Sequence, residues 1–81
     1  MLESSAPLIA VIDAYQAATG VPDTTISGRV FIDGRKVTHL RMGRTITIER
    51  YGKAMRWFSF NWPDNAKWPK GVDRPAFEQA A

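Results

Sequence analysis

The sequence predicts an all-α fold: a compact domain of four to five helices, followed by an irregular tail that carries prolines and tryptophans. Three observations lead there. Apolar residues recur three and four positions apart through Leu8–Tyr15 and Ile48–Phe58, the period of one helix face. Gly20 and Gly43 follow such stretches, where a residue that tolerates a left-handed conformation ends a helix. Pro63, Pro69 and Pro75 gather after the last stretch and deny it continuation. The 81 residues, 44% of them apolar, suffice for one core and not for two. The expected division is a helical domain over residues 1–63 and a C-terminal wrap over residues 64–81.

The first helix is expected to begin near Ser5, a good N-cap, with Pro7 in its first turn. Leu8, Ile12, Tyr15 and Thr19 share its inner face, and Gly20 closes it. Pro22-Asp23 opens a second, short helix with Ile26, Val30 and Phe31 inward. Its β-branched content and the Asp33-Gly34 turn also suit a hairpin, so a strand competes here. Arg35 to Met42 reads as a third helix, with Val37 and Leu40 inward and Gly43 at its end. Thr45-Ile46-Thr47-Ile48 alternates like a strand, yet either threonine can cap a long helix with Glu49 in its first turn. That helix runs to about Asn61 with Ile48, Tyr51, Met55 and Phe58 as its apolar stripe. Trp62, Trp68 and Phe77 are candidates to pin the tail.

Charge is distributed unevenly. Residues 1–28 carry Glu3, Asp13 and Asp23 and no Lys or Arg, a balance of −3. Residues 29–56 set Arg29, Arg35, Lys36, Arg41, Arg44, Arg50, Lys53 and Arg56 against Asp33 and Glu49, a balance of +6. The remaining residues are neutral overall. A basic middle beside an acidic start suits a surface that faces a polyanion, although a solvated basic face without a partner has the same composition.

Several classes of function are disfavoured. The chain has no cysteine, which removes disulfides and thiolate metal sites and fits a cytoplasmic location. His39 is its single histidine, so no metal site with two imidazoles is expected, and no carboxylate pair or nucleophile spacing points to catalysis. We therefore expect no enzyme, no cofactor, no small-molecule substrate and no membrane span, the longest apolar run being Ala6–Ile12. No basic residue precedes that run, unlike a secretory signal.

Ile12 to Phe31 reads IDAYQAATGVPDTTISGRVF. Tyr15, the Gly20-Val21 bend and Ile26 in this stretch resemble the helix-turn-helix of phage repressors and related bacterial regulators, the lambda-repressor-like group. Gln16, Thr19 and Arg29 depart from that pattern. The D-G-x5-L-R-x-G of Asp33–Gly43 and the W-F-S-x-N-W-P of Trp57–Pro63 resemble small phage and mobile-element proteins of alphaproteobacteria, comparable to the anti-CRISPR-associated repressors. The resemblance spans roughly residues 8–63.

It implies a recognition helix that starts at Asp23, with Asp23, Thr24, Thr25, Ser27, Gly28 and Arg29 reading bases. Arg35, Lys36, Arg41 and Arg44 would grip phosphates. A second register, with Arg35–Met42 as the recognition helix, stays open. Trp57, Phe60, Trp62 and Trp68 are candidate dimer contacts; a stacking platform for single strands is the other reading of the aromatics. The expected function is a sequence-specific repressor that binds double-stranded DNA as a homodimer. A phage-encoded protein inhibitor of the anti-CRISPR kind and an excisionase-like architectural protein are the alternatives.

Overall fold

The computed structural model describes residues 2–75, with the side chains of Leu2 and Glu3 left aside. The chain is mostly helical. Two-residue strands β1 (Leu2–Glu3) and β2 (Ile46–Thr47) flank a sequence of α1 (Ala6–Thr19), α2 (Asp23–Ile26) and α3 (Lys36–Arg41), and α4 (Ile48–Phe60) follows. A π-helical segment, Ser27–Phe31, prolongs α2 without a break.

Helix α1 forms where periodicity places it, with Pro7 in its first turn and Leu8, Val11, Ile12 and Tyr15 buried. Ser5 stands at the N-cap as expected, but its side chain makes no capping bond and donates inward to the Leu40 carbonyl at 3.5 Å; the Ser4 hydroxyl accepts the Ala6 N–H. Gly20 ends the helix with φ 74°, its N–H on the Gln16 carbonyl at 2.7 Å. Thr19 lies outward, its hydroxyl donating back to the Tyr15 carbonyl and accepting the Val21 N–H across the bend.

Pro22 starts α2 in extended backbone, and Asp23 suits the positive end of the helix. Helix prevails over the competing strand here. The segment then widens, because the Ser27 carbonyl accepts the N–H groups of both Ile32 and Asp33. Ile32 takes φ 54°, a left-handed conformation that β-branched residues strongly resist. The Asp33 carboxylate accepts the Arg35 N–H at 3.0 Å, and this tight turn delivers the chain into α3.

Thr47 does double duty. It pairs with Leu2 in the antiparallel β1–β2 ladder, and its hydroxyl accepts the Arg50 N–H to cap α4. Both expectations for this stretch are thus met, while β1 is an addition to the all-α reading: two residues carry no periodicity to read. Helix α4 buries Ala54, Met55, Phe58 and Ser59, but Ile48 stays largely exposed. Phe58, Leu8, Ile12, Ile26, Leu40 and Ile46 are the largest fully buried side chains. Each contributes about 1.5–3 kcal/mol by leaving water.

Tyr15 is the meeting point of α1 with the far end of α4, its ring edge-on to Phe58 at 5.3 Å and to Trp57 at 5.9 Å. Beyond α4 the tail folds back. Trp62 and Trp68 meet at 4.8 Å, and their indole N–H groups donate to the Ala66 and Val72 carbonyls. Arg74 lies over the Trp68 ring and donates to the Ser59 carbonyl at 2.9 Å, while the Ser59 hydroxyl donates to Pro75. Phe77, the third expected pin, lies outside the described residues.

Candidate nucleic-acid interface

The predicted reading face on α2 divides. Thr24, Gly28 and Arg29 are exposed and Thr25 is half-buried. Ser27 is fully buried, and its hydroxyl accepts the Val37 N–H at 3.0 Å. That N–H belongs to the first turn of α3, where no earlier carbonyl reaches it, so Ser27 caps a helix ten residues on. A base-reading role for Ser27 is therefore overturned.

Asp23 is occupied as well. Arg41 sits on it with Nε at 3.1 Å and Nη2 at 3.2 Å, donates from Nη2 to the Gln16 side-chain Oε1 at 2.8 Å and pairs with Asp13 at 2.8 Å. Gln16 closes the ring by donating to Asp23 at 2.6 Å. The hydrogen bond from Arg41 holds the Asp23 carboxyl below the ordinary carboxylate range, and the same bond raises Arg41. One guanidinium thus ties α1, α2 and α3 together. The groups that the expected roles of Asp23 on a base and of Arg41 on a phosphate would use are thus engaged within the chain, with each other, with Gln16 and with Asp13.

The remaining cations behave differently. Among the described residues the ion pairs are those of Arg41 alone. Arg29, Arg35, Arg44, Arg50, Lys53 and Arg56 are exposed and Lys36 is half-buried, and none of the seven has an anionic partner among the described residues. Three of them converge. Lys36 from α3 and Arg50 and Lys53 from α4 line one cavity of about 210 Å³, completed by Val30, Phe31, Ile32 and Asp33. Arg50 and Lys53 were not singled out by the sequence. Their spacing of three on one helix was the available signal, but the convergence with Lys36 depends on how α3 and α4 pack.

The aromatic candidates also divide. Trp57, Trp62 and Trp68 are half-buried, their rings engaged with Tyr15, Phe58 and one another. These three rings thus pack within the chain while each keeps part of its surface outward. Phe60, 59% exposed, keeps an outward surface. Among the described residues no helix is long and apolar enough to cross a membrane, and no group of three or more His, Cys, Asp or Glu could hold a metal ion.

No protein-family model matches the chain, and no curated protein or solved structure matches it at a significant level.

Proposed function

We propose that this chain is a helix-turn-helix module that binds double-stranded DNA, acting as a transcriptional regulator of the repressor type. The reading element is moved from α2 to α3. Two commitments, the buried bond of Ser27 to α3 and the partly solvated pairing of Asp23 with Arg41, weigh against the centre of the first candidate. The second register leaves Arg35, Thr38, Met42 and Arg44 exposed along and beside α3, with α2 as the supporting helix. Thr38 is the best candidate for a base edge; Arg29, Arg35, Lys36 and Arg44 remain candidates for phosphates.

The observation that carries this reading is the set of seven cations between Arg29 and Arg56 without an anionic partner among the described residues. Uncompensated positive charge at that density attracts a polyanion and releases its counterions on contact. A homodimer follows from size, since one short α3 spans only a few base edges. The test is selection of bound duplexes from a random library, followed by sizing of the complex. Recovery of a two-fold symmetric site supports the reading; failure to enrich any duplex at low salt overturns it.

A protein partner is the second reading, and Ile32 favours it. This side chain is 92% exposed at a strained backbone position beside the cations, as expected of an anchor for an acidic protein surface. Binding that depends on Ile32 and not on Thr38 would decide for it.

A further inference from the structure

We propose that the cavity between the end of the π-helical segment, α3 and α4 is a phosphate-binding site, with Lys36, Arg50 and Lys53 holding a single phosphate group between them. Three cations from two helices line a cavity of about 210 Å³ and none makes an ion pair among the described residues, although each is on a long side chain able to reach elsewhere. Asp33 is the one anion of the lining, and its carboxylate is already committed to the Arg35 N–H. The lining therefore keeps a balance of +2, more than one carboxylate neutralises and suited to a tetrahedral group that presents several oxygens.

Its walls fit the same ligand. Val30 and Phe31 are half-buried beside the cations and lower the local water content, which strengthens charge attraction there. Arg50 and Lys53 project from one helix three residues apart, so an Arg fork and a Lys point charge approach the group from one side while Lys36 approaches from α3. The Thr47 cap holds the start of α4 and thereby the position of Arg50. The phosphate can be a diester of a nucleic-acid backbone or the phosphate of a small phosphorylated ligand. The former rests on the proposed DNA-binding function; the site itself does not.

The experiment is an amide NMR titration with inorganic phosphate, against sulfate-free chloride buffer of equal ionic strength, run beside the salt dependence of duplex binding. Saturable shifts confined to residues 30–36 and 50–53 are expected, lost in Arg50→Gln/Lys53→Gln and retained in Lys67→Gln/Lys70→Gln, which removes equal charge from the tail. Far-ultraviolet circular dichroism verifies that each variant is folded. Absence of saturable shifts, or shifts spread equally over Lys67 and Lys70, overturns the site whatever the duplex result. If the cations hold one backbone phosphate together, Arg50→Gln/Lys53→Gln lowers the slope of log K against log salt by about 0.9. A fall near 1.8 means two separate phosphates and refutes the shared site. Phosphate shifts with an unchanged slope, or with no duplex binding at all, support the site with a small phosphorylated ligand and leave the DNA reading to fall by itself.

Discussion

The Ser27 hydroxyl accepts the Val37 N–H at 3.0 Å, a bond between the end of α2 and the first turn of α3 that is wholly shielded from solvent. It fixes the spacing of the two helices on which the proposed interface stands.

Ser27→Ala should destabilise the protein by about 1–3 kcal/mol, since it strands a buried donor. Urea unfolding followed by circular dichroism measures it. Ser27→Thr keeps the acceptor but adds a methyl in closed packing, so only partial rescue is expected. A Ser27→Ala protein with wild-type stability and altered DNA preference would restore the rejected role.

Asp23 is held below its ordinary range by Arg41, so its contribution is of the kind present at neutral pH and lost in acid. Stability should be full above about pH 4, the range of an unfolded carboxyl, and decline as pH falls through the lowered value. Asp23→Asn should flatten that acid limb and cost no more than about 1 kcal/mol at neutral pH, because the pair is partly solvated. Arg41→Lys should resemble Arg41→Ala, since an ammonium cannot bridge Asp13, Asp23 and Gln16 at once. Paired melts at pH 7 and pH 3 test both.

Thr38→Ala should relax discrimination between cognate and random duplexes while leaving non-specific binding nearly intact; Thr24→Ala should leave both unchanged. Arg44→Ala should weaken binding on every sequence and lower the salt slope by about one. Reversal of the threonine pair would return the reading element to α2.

Ile32→Gly should raise the melting temperature, by an amount corresponding to at most about 1 kcal/mol, because relief of the left-handed strain exceeds the added chain entropy. Nothing is lost from the core, since the side chain is exposed. A stabilised variant that no longer engages its partner would identify Ile32 as an anchor.

The legibility of the fold follows sequence separation. Helices α1 and α4 could be read because their periodicity, Gly20 and Thr47 lie within the elements they shape. The widening at Ser27–Phe31 could not, since it answers to the way α2 must meet α3. The site shows the same limit. The basic stretch is visible in composition, but Arg41 looks like its neighbours until Asp13 and Asp23 are brought to it from two other helices. Ser27 has the chemistry of a base reader and lies in the core, because the Val37 N–H needs an acceptor there. Arg50 and Lys53 gain significance only from Lys36 across the cavity.

All three tryptophans of the chain stand at the end of α4 or in the tail beyond it. Intrinsic fluorescence is consequently a local reporter of how that strap is seated, whereas far-ultraviolet dichroism averages over every helix. Coincident transitions by the two signals would mean that the strap and the helices melt as one cooperative unit; an earlier fluorescence change would show a detachable seal over the Tyr15 end of the core.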